Sequence, residues 1–459
     1  MDSGTSAPRA SLIAVALGIA ASAVAPASAR AEELDIPVHV ERLENGLRVV
    51  LSPDHTSPMV ALEVFYDVGA RVEERGQSGL AHLFEHMMFQ GSANVGRGEH
   101  FRIVTGHGGE FDGRTNQDRT HYADTLPAND LALGLFLEAD RMRSLAITPE
   151  TFEIQRGVVM EERRQSYENR PYMLSYLRRD ELAYAGWFPY EHSTLGDMAD
   201  LQRLSLDEAR AFHDRWYAPD NAVIAIAGDF DAAQAMTLVR EYFGSIPARC
   251  APPWQPPPYE PQREERTATM TDAHAESPAF HLVWHIPPQR APDHYALDML
   301  ATVLGTGRSS RLYQDLVGRG EIARSIEVDT DGRRGPDLFT VWCVLASGHT
   351  GAEARARIDA QLADIAAHGI TERELARARS LVRRQFVFGL QSDLTRARRL
   401  AVYELYDGDA SLIRTEMDRY LAVTAADVRR VAGQYFTAAS RTVLDVLPAR
   451  TAAAVAPAR

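Results

Sequence analysis

The period of the apolar residues changes several times along the first half of the chain. Val38 to Leu43 and Leu47 to Leu51 are short β-type runs on either side of Asn45-Gly46, a tight-turn signal, and Met59 to Val68 is a third such run. The spacing becomes helical over Leu80 to Met88 and again over Leu131 to Leu145. Thr148-Pro149-Glu150 reads as a helix start, because Thr can cap, Pro suits the first turn and Glu complements the helix dipole. That helix is predicted to run to about Tyr167, and Asn221 to Gly228 is predicted as an Ala/Val/Ile strand ending in a turn.

Between Ile246 and Arg263 the pattern gives way to prolines at 252, 253, 256, 257, 258 and 261, the composition of a stiff extended linker. The second half of the chain reads as a worn copy of the first. Ile147-Thr148-Pro149-Glu150 is echoed by Ile370-Thr371-Glu372-Arg373, each ahead of a long Arg/Glu-rich helix. Ser57-Pro58 before a strand is echoed by Ser277-Pro278 before Ala279 to Trp284, and Asn221 to Gly228 by Arg441 to Leu447. The order is the same in both halves, which predicts duplication of one α+β domain, with the units at 32–245 and 264–459 and the linker at 246–263.

Composition narrows the function classes. There are 49 Lys and Arg against 63 Asp and Glu, a net charge of −14, which argues against a nucleic-acid binder. Two cysteines cannot build a disulfide framework, so a metal site here is expected from His, Asp and Glu; nothing in the sequence places Cys250 and Cys343 together for pairing. Ser11 to Ala25 is uncharged and apolar, and Ala27-Ser28-Ala29 and Ala29-Arg30-Ala31 offer small-x-small cleavage patterns. Residues 1–31 are therefore read as a secretory signal peptide, which predicts a secreted, periplasmic protein without membrane insertion after cleavage.

His82-Leu83-Phe84-Glu85-His86 is the sharpest chemical signal. On a helix, i and i+4 share a face, so His82 and His86 can offer two imidazoles to one metal ion. Glu85 stands beside them, placed to take a proton from a water at the metal; this order is that of the inverted zincin motif. A catalytic zinc needs a third protein ligand, and Glu161 and Glu162 on the helix after Thr148 are the candidates, between which periodicity does not choose.

The segment Gly79-Leu80-Ala81-His82-Leu83-Phe84-Glu85-His86-Met87-Met88-Phe89-Gln90-Gly91-Ser92 resembles the pitrilysin/insulinase family of zinc peptidases, in particular its short two-domain branch that includes mitochondrial processing peptidase and bacterial relatives. The resemblance implies two similar domains, each a mostly antiparallel sheet packed with helices, forming a clam-shell-like chamber that takes extended peptides. It implies one zinc per chain. It also implies a distal glutamate about seventy-five residues after the second histidine, which selects Glu162: residues 87 through 161 lie between. Gly108-Gly109 and the stretch to Tyr122 resemble the family's Gly-Gly turn and edge strand, where substrate adds as a strand. Asp112, Thr115, Asn116, Asp118 and Tyr122 are the substrate-binding candidates on that ground, and the alternation from Thr115 to Tyr122 fits a strand as well as a plain hairpin edge.

Two departures stand out. Gln155 occupies a position where the family often has a supporting glutamate, and Val317 and Arg324 stand where many members carry an Arg and a Tyr that grip substrate. Aligning Gly305 with Gly91 puts Ala296, Met299 and Leu300 at the places of the motif, so the second half is predicted to bind no zinc this way. The expected function is that of a zinc endopeptidase with Glu85 as base. A homologous subunit in a heterodimer is expected to supply the missing grip, with a homodimer or a lone clam-shell in which Arg319 or Arg324 takes over the grip as the alternative. A non-catalytic assembly subunit of the same fold and a metal-storage protein are the rival readings; the intact motif disfavours the first, and the second leaves Glu85 without a role.

Overall fold

The computed structural model describes residues 35–250 and 253–449; the signal reading of residues 1–31 lies outside them. Two sheets organise the chain. The first contains β1 (His39–Arg42), β2 (Arg48–Pro53), β3 (Met59–Tyr66), β4 (Glu110–Thr115), β5 (Thr120–Pro127) and β6 (Ala222–Gly228), in the order β1-β2-β6-β3-β5-β4. The second contains β7 (Arg266–Asp272), β8 (Ala279–Ile286), β9 (Ala323–Thr330), β10 (Asp337–Leu345) and β11 (Arg441–Pro448), in the order β7-β11-β8-β10-β9. In each, one pair is parallel, β2 with β6 and β7 with β11, and the other pairs are antiparallel. Strands β2-β6-β3-β5-β4 and β7-β11-β8-β10-β9 thus repeat one topology, and the sequence echoes fall at equivalent places in it. The architecture is α+β with two similar domains.

The first half carries helices α1 (Leu80–Met87), α2 (Glu99–Gly106), α3 (Leu131–Ser144), α4 (Pro149–Arg163), α5 (Met173–Ala183), α6 (Phe188–Glu191), α7 (Met198–Arg203), α8 (Leu206–Trp216) and α9 (Ala232–Phe243). The second carries α10 (Pro292–Gly305), α11 (Gly351–His368), α12 (Glu372–Gly389), α13 (Asp393–Asp407), α14 (Leu412–Ala422) and α15 (Ala425–Tyr435). The echoed starts of α4 and α12 are both capping boxes, at Thr148 with Thr151 and at Thr371 with Glu374. α4 ends at Arg163 and continues as a π-helical stretch over Arg164–Glu168.

The central strands are buried on both faces: every residue of β6 is buried, and every residue of β3 after Met59. One face packs on the first half's own helices. The other is covered by α13, which comes from the second half and packs on β3, β6 and β2; in return α5, from the first half, packs on β11, β7 and β8. This exchange interlocks the two domains. Polar ties accompany it: Arg398 Nε donates to the buried Glu63 at 2.7 Å, and Arg48 Nη1 to the Glu404 carbonyl at 2.9 Å.

Of the two readings of Thr115 to Tyr122, a strand or a hairpin edge, the chain adopts the hairpin: two antiparallel strands and a turn. Asn116 Oδ1 accepts from the backbone N–H of Asp118 at 2.8 Å and of Arg119 at 2.9 Å, a side-chain turn that sends the chain back as β5. Alternation alone does not expose such a turn, because Asn and Asp also fit the polar positions of a strand. Asp118 is buried at that turn. It accepts from Tyr190 Oη at 2.6 Å, from Arg71 Nη1 at 3.3 Å and from the backbone N–H of Arg334 at 3.0 Å, the last on the β9–β10 loop of the other domain. Asp118→Ala would leave Arg71 with Asp67 as its counter-charge but strip the buried Tyr190 hydroxyl and the Arg334 amide of their acceptor, so a loss of about 1–3 kcal/mol in urea unfolding is expected. An unchanged midpoint would show that this tie adds nothing. Of the two cysteines, Cys250 is exposed and Cys343 is buried in β10, and both are free.

Candidate metal centre

Helix α1 owes its orientation to its apolar side. Leu80, Ala81, Leu83, Phe84 and Met87 are buried in the first core, which leaves His86 and Glu85 partly exposed on the other side and His82 at 6% exposure. The helix starts at Gly79, whose φ of +96° suits glycine; a Cβ there would lie 2.8 Å from Leu201 Cδ2 and 3.0 Å from Gly196 Cα.

α4 packs against α1 and brings Glu162 to the two rings. His86 Nε2 lies 3.1 Å from Glu162 Oε2, and His82 Nε2 lies 3.8 Å from Oε1. One donor atom from each of the three residues lies within 4.8 Å of the others. Ligands about 2.0–2.2 Å from a tetrahedral zinc are about 3.4 Å apart, so this two-nitrogen, one-oxygen set comes within small side-chain shifts of a zinc site. Glu161 is turned outward, hydrogen-bonded to Arg164 at 3.2 Å and Gln165 at 3.0 Å.

The electrostatics suit a cation. Burial, reinforced by the neighbouring His86, pushes His82 down to about 4, so its imidazole is neutral and available as a ligand. The hydrogen bond from His86 holds the Glu162 carboxyl below its ordinary value. Burial pushes Glu85 up to about 7, against the opposing effect of the Thr115 hydroxyl. A carboxyl near neutrality beside a metal-ligand set is placed to move protons.

Residues 48–190 match the family model "Insulinase (Peptidase family M16)", and residues 203–382 match "Peptidase M16 inactive domain". The chain is 30% identical over 415 residues to the zinc protease PqqE of Helicobacter pylori, across 88% of this chain and 92% of that one. The chain belongs to the M16 peptidase family. The crystal structure of a protease from Helicobacter pylori superposes with a TM-score of 0.85 at 28% identity, covering 90% of this chain and 100% of that chain. The periplasmic protease PqqL of Escherichia coli shares the fold at a TM-score of 0.76 and 19% identity, over 93% of this chain and 49% of that one.

Within this M16 frame the substrate candidates separate. Thr115, the last residue of β4, faces the metal helix: its hydroxyl is 3.5 Å from the Ala81 carbonyl and 3.2 Å from Thr120 Oγ1, and it is near enough to Glu85 to favour that carboxyl's charged form. Asp112 accepts from Arg114 at 3.1 Å and lies 3.4 Å from Arg398 of α13. The resemblance implies substrate contacts at Asn116, Asp118 and Tyr122 as well, but their side chains are committed to the fold. Asn116 makes the turn, Asp118 ties the domains, and Tyr122 is fully buried with its hydroxyl donating to the Phe84 carbonyl at 2.9 Å. β4 itself is the terminal strand of its sheet.

The M16 inactive-domain half carries no counterpart of the donor set among the described residues. Ala296, Met299 and Leu300 are buried core residues of α10. Val317 packs partly buried against the second core, while Arg319 and Arg324 are exposed. A second cluster that the sequence did not reveal, His100, Asp124 and Glu138, is fully buried. It already contains its cation, since Arg141 Nε donates to Glu138 at 3.0 Å while His100 Nε2 pairs with Asp124 at 3.0 Å. Arg141 also lies 4.6 Å over the Tyr122 ring, so this cluster braces the wall behind α1.

Proposed function

We propose that this chain is a zinc-dependent endopeptidase acting on extended peptides, with His82, His86 and Glu162 as the metal ligands and Glu85 as the proton carrier. The observation that carries the reading is the meeting of the three donor atoms with Glu85 at the end of the terminal strand β4. Zinc bound there would supply Lewis-acid polarisation of a peptide carbonyl and would acidify water. Glu85 takes the proton of the attacking water and hands it to the departing amide nitrogen. Thr115 orients that carboxyl, and the free backbone of β4 receives the substrate as an added strand.

The unit at 32–245 is the catalytic one in this reading, 264–459 is its metal-free copy, and 246–263 joins them. The prediction for the metal is one zinc per chain by elemental analysis; two tightly held ions would mean the second half also binds. Placement in the periplasm follows from the signal reading of residues 1–31, and the PqqL relative is a periplasmic protease. No described helix is long and apolar enough to cross a membrane.

Because Val317 and Arg324 replace the expected grip, the chain works in this reading as the catalytic subunit of a heterodimer with a homologous subunit, which also completes the clam-shell-like chamber. The alternative of a non-catalytic core subunit takes support from the match of residues 203–382 to an inactive-domain model, yet that match covers the half without ligands. The test is hydrolysis of an unfolded peptide by the purified, zinc-saturated chain, with chelator and zinc add-back. Full activity of the isolated monomer would remove the partner. Negligible activity that a homologous subunit restores, and that subunit without its Arg and Tyr does not, would support it.

A further inference from the structure

One fully buried carboxylate of the first domain takes no part in the chemistry above. Glu73 comes directly after the single turn Ala70–Val72 and accepts the backbone N–H of Gly79 at 2.8 Å on one oxygen and that of Ala81 at 2.7 Å on the other. These are amides at the start of α1, which has no side-chain cap of its own. Helix-start amides need such a partner, and a negative charge is favoured at that end of the helix. Glu73 therefore holds the backbone one and three residues ahead of His82.

His192 holds Glu73. Its Nε2 stands 2.9 Å from the Glu73 carboxylate, and its Nδ1 stands 2.6 Å from the Phe188 carbonyl. The ring is stacked on Phe188 with centroids 4.0 Å apart. Both nitrogens face acceptors, so both bonds exist together only when both carry hydrogen. Burial is the largest single influence and opposes the charged ring, but the bond and charge of Glu73 together with the backbone acceptors outweigh it and raise the imidazole above its ordinary value. Arg75 lies over the Phe188 ring at 4.6 Å and pairs with Glu191 at 2.9 Å, while Arg71, Glu74 and Arg215 border the adjoining cleft.

We propose that Glu73 and His192 are a positioning pair that fixes the first turn of α1, and so the aim of His82 and Glu85 toward β4, for as long as His192 keeps both ring protons. The consequence for hydrolysis rests on the peptidase reading; the hold on the helix does not. The sign comes from the raised imidazole: the hold weakens as pH rises through the His192 titration, when one of the two ring bonds is lost, and below that range it stands for as long as Glu73, itself raised by burial, stays ionised.

The experiment compares the full chain with its Glu73→Gln and His192→Gln variants, metal-free and zinc-loaded. Hydrogen-exchange protection is read at Gly79 and Ala81, and kcat and KM are measured on an unfolded peptide. A glutamine at 73 can accept with only one oxygen, so protection at one or both amides should fall tenfold or more. kcat should fall by about ten- to a hundredfold with KM within twofold, since small misplacements of reacting groups cost that much. Wild-type protection should decline as pH rises through the His192 titration, and His192→Gln should flatten that decline. If Glu73→Gln does not fold, His192→Gln, which removes only the partner that keeps Glu73 on the two amides, carries the same readouts with a smaller loss of protection. Unchanged exchange and kcat in the folded variants, or wild-type protection independent of pH, would overturn the pair. Altered exchange in a chain whose wild type cleaves no peptide would overturn the peptidase reading and leave the pair standing.

Discussion

Glu85→Gln is expected to abolish peptide hydrolysis while leaving zinc bound at one per chain. The substitution keeps the size of the side chain and its place on α1, and Glu85 is not one of the three clustered donors. What glutamine loses is the ability to accept a proton. A well-placed acid–base group contributes about 10²–10⁴ in rate, and here one carboxylate serves both the attacking water and the leaving nitrogen, so a loss of at least about 10³ in kcat is expected. The pH profile has a defined sign. Burial pushes Glu85 up to about 7, and it works as a base only when ionised, so activity should fall on the acid side. A bound cation nearby favours the charged form, so that acid limb should lie below 7 in the zinc-loaded enzyme. Zinc content at parity with wild type, beside lost turnover, is the result that checks the assignment; retained turnover would remove Glu85 from the chemistry.

Exchanging the adjacent glutamates separates ligand from bystander. Glu162→Gln should weaken zinc by more than about a hundredfold, because even residues that only support metal ligands cost 10–100-fold when changed. Glu161→Gln should be nearly silent, since Glu161 is turned to Arg164 and Gln165 and well exposed. His82→Ala should match Glu162→Gln or exceed it. Zinc affinity measured against a competing chelator reads all three without requiring turnover. A Glu161→Gln chain that loses its metal while Glu162→Gln keeps it would reverse the assignment.

Much of the fold was legible because it rests on local rules. The runs at Met59 and Asn221 announced strands, which the fold buries on both faces, and Thr148 and Thr371 announced helix starts that proved to be paired capping boxes. The duplication was visible only as faint echoes, yet those echoes sit at equivalent places in two sheets of one topology. The turn at Asn116 was not legible, because the hydrogen bonds that make it involve residue types that a polar strand position also accepts.

The sequence by itself determined which residues of the first half could form a zinc site and that the second half lacks their motif, because His82, Glu85 and His86 lie within little more than one turn of a helix and their mutual placement is local. It also set the candidate pair Glu161 and Glu162, but one residue apart on a helix is a rotation of about 100°, and only packing of α4 on α1 decides which faces the rings. Tertiary structure alone decided that α5 and α13 change sides, that Asp118 and Tyr122 serve the fold, and that Glu73 and His192 hold the start of the metal helix. Those contacts join residues far apart in the chain, where neither period nor propensity carries information, and they exist only once burial has made an unpartnered charge costly.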